Sequence, residues 1–233
     1  MIFVLIGGKN KDSNKTIIEE NIIKLTNKDN PKLLFVPLAS DDINKSIIKF
    51  NNLVKNLQLD ISYLTYDNIN DFEKLIELND IIYVGGGISN HLNKVFIDNK
   101  LDVILKKHLN DNKIYAGISA GAMLVTKTSM GDKNIYVDNF HNYGYKMVDC
   151  LNILNISICP HYQNEDLIIY NDVVKDLTID SFGIEEDTAL VIDNENYYVF
   201  KDDKKASLYH FDKEKMIPLY ENIIYKKNGG FLS

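Results

Sequence analysis

The chain has 233 residues, 45% of them hydrophobic and 25% charged, the profile of one soluble globular domain that can hold its core without a disulfide or metal staple. Its net charge of −7, from 33 acidic and 26 basic residues, speaks against nucleic acid and anionic membrane as partners, because phosphate binding needs a concentrated positive field. Every basic residue is a lysine, so the guanidinium fork that grips a carboxylate bidentately is absent.

Cys150 and Cys159 show neither CxxC spacing nor a histidine at zinc-ligand distance, and read as reduced thiols of a cytosolic protein. No run approaches the ~18 apolar residues of a membrane span. Ile2 to Ile6 lacks a positive leader and a cleavage site, so it reads as a buried first strand, and the expected location is cytoplasmic.

Short apolar runs alternate with helical spacing up to about residue 180. Strands are expected at Ile2 to Ile6, Leu33 to Pro37, Ile61 to Leu64, Ile81 to Val84 and Ile114 to Ala116. Helices are expected at Lys15 to Leu25, Ile43 to Leu57, Phe72 to Leu78, Ser89 to Phe96, Leu101 to Leu109 and Ala120 to Thr126. A further strand, Ile156 to Pro160, precedes Asn164-Glu165-Asp166, which resembles a helix start. Strands apolar along their whole length, alternating with helices, predict an α/β fold: a mostly parallel sheet flanked by helices on both faces. Beyond residue 180 the runs Ser181 to Ile184, Ala189 to Asp193, Tyr197 to Lys201, Ser207 to Phe211 and Ile217 to Tyr225 are short and closely spaced. They predict an antiparallel β extension (181–233) on the core (1–180) of a single domain.

The strongest chemical signal is Gly117-Ile118-Ser119-Ala120-Gly121, a GxSxG at a strand-to-helix junction. A serine there sits on a sharp turn that holds its hydroxyl above the sheet edge. Serine is a weak nucleophile at neutral pH, so it calls for a histidine base and an orienting acid. His91 and His108 lie among polar helix neighbours and read as surface residues, His141 lies in a loop-like stretch, and His210 in the late β region. His161 instead follows a buried-looking strand, at the carboxyl end where open α/β sheets place their sites. Glu185, Glu186 and Asp187 end another strand. Period-two alternation puts Phe182, Ile184 and Glu186 on one face, Gly183 and Glu185 on the other. Gly85-Gly86-Gly87 exposes backbone N–H groups that could join that of Ala120 around an oxyanion. Its spacing fits neither GxGxxG nor GxxxxGK[ST], which weakens the rival phosphate-loop reading.

The order Gly85-Gly86-Gly87, Gly117 to Ala122, Pro160-His161-Tyr162 and Gly183 to Leu190 resembles the peptidase E and cyanophycinase family of serine hydrolases, over about residues 1 to 195. The resemblance implies a fold like that of class I glutamine amidotransferases, peptide-bond hydrolysis, and no metal or organic cofactor. It makes Ser119 the nucleophile, His161 the general base and Glu186 the orienting acid, with Gly86 and Ala120 as oxyanion donors; Asp132 and Glu185 are alternative acids. Short peptides are the implied substrate, including those with an acidic N-terminal residue, although the arginine expected to hold that carboxylate is missing. A homodimer is compatible with the sequence. Two other readings are an α/β-hydrolase esterase using Ser119, Asp193 and His210, and a catalytically silent binding or regulatory member of the same fold.

Overall fold

The computed structural model describes residues 1–132, 145–163, 169–194, 196–212 and 215–226. The first half alternates as the sequence pattern requires: β1 (Ile2–Ile6), α1 (Ile17–Leu25), β2 (Lys32–Val36), α2 (Ile43–Val54), β3 (Asp60–Tyr63), α3 (Phe72–Leu78), β4 (Ile81–Val84), α4 (Ser89–Asp98), α5 (Leu101–Lys107), β5 (Ile114–Ile118) and α6 (Ala120–Leu124). Then follow β6 (Thr126–Asp132), β7 (Tyr145–Asp149), β8 (Leu154–Pro160), α7 (Tyr170–Val174), β9 (Asp180–Ile184), β10 (Thr188–Asp193), β11 (Asn196–Lys201), β12 (Leu208–Asp212), β13 (Lys215–Leu219) and β14 (Tyr225–Lys226). No helix among the described residues is long and apolar enough to cross a membrane.

The larger sheet has the order β14-β11-β10-β1-β5-β4-β2-β3. Its strands from β1 to β3 run parallel, while β10, β11 and β14 extend it antiparallel. Strand alternation divides the apolar side chains between two faces. Leu33 and Phe35 pack with Ile18 and Ile22 of α1 and Phe50 and Val54 of α2. Leu34 and Val36 face the opposite cluster, where Phe72, Leu92 and Leu105 come from α3, α4 and α5. Helices therefore cover both faces, as expected.

A second, six-stranded sheet, β13-β12-β9-β8-β6-β7, packs into that second cluster through Ile156, Ile158, Phe182 and Leu208. It corrects two expectations. The C-terminal strands are not one antiparallel appendage: β9 runs parallel to β8, β12 and β13 stay in the second sheet, and β10 and β11 join the first. The helix expected to run through Thr126 stops at Leu124, and Thr126 opens a strand. Thr126 and Ser129 are fully buried, with their hydroxyls 2.7 Å apart and Thr126 Oγ1 also donating to the Met123 carbonyl at 2.8 Å. This strand is thus held by mutually satisfied hydroxyls, which leave no apolar periodicity to read.

Candidate active site

Parallel registers bring the key turns to one edge. Ile6 pairs with Ile118 and Val84 with Gly117, so the chain leaves β1, β4 and β5 side by side. In the second sheet Pro160 pairs with Ile184, which sets His161 beside the turn that follows β9.

Ser119 occupies the tight turn between β5 and α6 with φ 53° and ψ −111°, a sparsely populated conformation. The turn closes because the motif's glycines have no side chain. A Cβ on Gly117 would lie 2.3 Å from the Gly121 carbonyl oxygen, and one on Gly121 would lie 2.2 Å from that of Val84. Ala120 is the first residue of α6, next to Ser119, so its N–H has no partner within the helix. Gly86 approaches from β4, close enough that a Cβ there would stand 3.3 Å from Ser119 Cβ.

Ser119 Oγ lies 2.9 Å from His161 Nε2, and His161 Nδ1 lies 3.1 Å from Glu186 Oε1. His161 also has a left-handed backbone, φ 54°, fixed by its N–H donating to the Gly7 carbonyl. Glu186 lies in the β9–β10 turn, beyond the end of β9, so the direction of its side chain comes from that turn and not from strand alternation. Gln163 Oε1 accepts its backbone N–H at 2.9 Å. These groups line a cleft of about 350 Å³, together with Gly87, Ser89, Met123, Gly131 and Tyr145.

Other candidates lie elsewhere. Glu185 is turned to Ser207, whose N–H its Oε2 accepts at 2.7 Å. Asp132 ends β6 opposite Tyr145, and its side chain lies outside the described residues, as do His141 and the predicted helix start at Asn164 to Asp166. His210 pairs with Asp180 at 3.1 Å, and Asp193 ends β10, so the Ser-Asp-His order of an α/β-hydrolase is not assembled at Ser119. His91 receives the Tyr66 hydroxyl on the surface, whereas His108, expected on the surface, is buried.

One group behind the site was missed. Lys9, which follows the Gly7-Gly8 turn, reaches Glu19 of α1 at 2.7 Å and Asp202 at 2.5 Å, and all three are nearly inaccessible. Burial acts to lower the Lys9 pKa, but the two carboxylates outweigh it and hold the group above its ordinary value; burial pushes Glu19 up despite Lys9. Asp202 also accepts the Ile18 N–H at 2.9 Å. The available signal was a glutamate set beside Ile18 and Ile22 on the apolar face of a helix.

The fold is shared with solved structures of other proteins. A peptidase from an acI-B1 Actinobacterium superposes with a TM-score of 0.72 at 18% identity, covering 97% of this chain and 96% of that one. A putative peptidase E protein from Listeria monocytogenes EGD-e gives 0.63 at 20% identity, covering 86% and 98%. In sequence, the uncharacterized peptidase YgaJ of Bacillus subtilis strain 168 is 27% identical over 161 residues, which are 68% of this chain and 66% of the relative, just under two thirds. The uncharacterized peptidase PM1590 of Pasteurella multocida strain Pm70 is 25% identical over 182 residues, 72% and 84% of the two chains. The sequence model of peptidase family S51 matches residues 2–200. The chain belongs to that family.

Proposed function

We propose that the enzyme hydrolyses short peptides, dipeptides among them, through an acyl-enzyme on Ser119. The observation that carries this reading is the continuous hydrogen-bond run from Ser119 Oγ through the His161 ring to Glu186, at 2.9 and 3.1 Å. His161 Nε2 takes the hydroxyl proton as Oγ attacks the scissile carbonyl. Glu186 accepts from Nδ1–H, fixes the tautomer that leaves Nε2 free, and stabilises the imidazolium that forms. The tetrahedral oxyanion is met by the N–H groups of Ala120 and Gly86. His161 then returns the proton to the departing amine, and water, activated by the same ring, releases the acyl product.

Substrate size follows from the cleft: about 350 Å³ sits near the lower end of small-ligand pockets, room for a dipeptide and not for a folded chain. Met123, Gly131 and Ser89 form part of its wall, and its described lining holds Glu186 but no lysine. The neutral Met123, Gly131 and Ser89 favour uncharged residues on the acyl side. The strained elbow at Ser119 and the cleft belong to one unit that includes the C-terminal strands, since one core cluster runs through both sheets. Two free cysteines support a cytoplasmic address.

The test is a dipeptide panel of Leu-X, Met-X, Asn-X, Lys-X, Asp-X and β-aspartyl-X, with wild type beside Ser119→Ala and His161→Ala. The expected result is turnover of uncharged members, with kcat/KM lowered about 10³-fold or more in both variants. Turnover that survives Ser119→Ala would exclude the proposed nucleophile.

A further inference from the structure

His108 caps the C-terminal end of α5 and is 93% buried, its residue exposure being 7%. Its Nδ1 lies 2.6 Å from Asp111 Oδ2, an arrangement in which Nδ1–H donates to the carboxylate and Nε2 carries the lone pair. That Nε2 is inaccessible and has no hydrogen-bond partner among the described residues. A buried imidazole lone pair without a donor is unfavourable and asks for an electrophile.

The neighbouring helix supplies what completes such a site. Glu73 and Glu77 stand four residues apart on α3, so they share a helix face, and α3 packs on α5. Glu73, Glu77 and His108 each offer a ligand atom, and these atoms all lie within 4.8 Å of one another. None of the three residues lines the cleft around Ser119.

We propose that Glu73, Glu77 and His108 form a binding site for a divalent transition-metal ion of the zinc type, which clips α3 to α5. One imidazole and two carboxylates suit zinc or cobalt, whereas magnesium and calcium favour oxygen ligands alone. Metal–ligand bonds of about 2.0 Å in a tetrahedron place ligand atoms about 3.3 Å apart, a closure that rotations of the two glutamates supply. Asp111 is the outer carboxylate that holds the ring in place, as carboxylates behind metal-bound histidines do. The end of α5 contributes a favourable field, because helix C-termini attract cations.

Two lysines stand near the carboxylates. Lys107 Nζ rests on Glu73 Oε1, and its side chain is two-thirds exposed, so it can swing into water when a metal enters. Lys113 Nζ is engaged by the carbonyls of Glu77 and Asn79, at 3.2 and 2.7 Å, and leaves the Glu77 carboxylate unoccupied by that contact.

The experiment is calorimetric titration of the full, chelator-treated chain with Zn²⁺, followed by the visible spectrum of the Co²⁺ form. Wild type is expected to take up a single equivalent with a rise in Tm, because a ligand that binds the folded state alone stabilises it. Glu77→Gln and His108→Gln should each weaken uptake about tenfold or more. Glu77 is exposed, so its variant folds normally and keeps full peptidase activity, separating this test from the catalytic reading. Absence of saturable Zn²⁺ uptake by wild type, or uptake that either variant leaves undiminished, overturns the proposal.

Discussion

Ser119 and His161 are anchored to consecutive carbonyls of the same strand end. The Ser119 N–H donates to Ile6 O at 2.9 Å, and the His161 N–H to Gly7 O at 3.3 Å. The two side chains belong to different sheets, yet the end of β1 sets their separation of 2.9 Å. Both backbones have positive φ, 53° and 54°, a conformation costing of order 1–3 kcal/mol each that persists only where the surroundings enforce it.

Gly8 tests that anchoring directly. A Cβ at this position would lie 2.5 Å from His161 Cε1 and 2.6 Å from Nδ1, so it must displace the ring. Gly8→Ala is expected to lower kcat by about 10²-fold, since misplacement of a reacting group by about an ångström costs that much. Circular dichroism and thermal unfolding check that the fold survives.

Glu185 and Glu186 are adjacent and have opposite surroundings. Glu186→Gln should reduce kcat about 10²- to 10⁴-fold with little change in KM, because an amide no longer holds the required tautomer or stabilises the imidazolium. Glu185→Gln keeps an acceptor for the Ser207 N–H and should leave kcat nearly unchanged. Steady-state kinetics of the two variants, side by side, decides between the carboxylates.

The positions gathered in the cleft were legible where local chemistry marks them. The elbow around Ser119 is written in small residues, and His161 at the end of an apolar strand. Alternation could only set Glu185 and Glu186 on opposite faces, and the family resemblance singled out Glu186: β9 ends at Ile184, and a turn with Asp187 at φ 58° aims the carboxylate. The first sheet was readable because Leu33 to Val36 and their equivalents are apolar on both faces. The second sheet was obscured because β6 buries Thr126 and Ser129, residues whose partners are tertiary. For the same reason the ion cluster of Lys9, Glu19 and Asp202 could not be read: Lys9 and Asp202 lie 193 positions apart.

That cluster makes a stability prediction. Lys9→Met leaves two neighbouring carboxylates buried without their cation, and should destabilise the protein by about 3–5 kcal/mol. Urea unfolding of this variant beside Lys9→Met/Glu19→Gln measures it, and the second substitution should recover part of the loss.

Both thiols should be inert in the folded protein. Burial pushes Cys150 from 9.0 up to about 11 and raises Cys159 further, so neither forms thiolate near pH 8. A thiol-exchange reagent should react with the buried Cys159 at the rate of unfolding, and only slowly with the partly covered Cys150. The folded-state pKa of Cys150 lies above its unfolded value, so its contribution to stability is complete below pH 9 and is lost as pH rises toward 11. Cys150→Ala should flatten the alkaline limb of Tm against pH.

Activation of Ser119 as a nucleophile by His161 is open to a direct chemical test. Intact-mass and peptide-level analysis after exposure to a fluorophosphonate probe addresses it without knowledge of the peptide substrate. A single adduct on Ser119 is expected in wild type, formed far more slowly in His161→Ala and absent from Ser119→Ala. A wild-type enzyme that hydrolyses peptides yet carries no adduct at Ser119, or labels equally fast without His161, would contradict it.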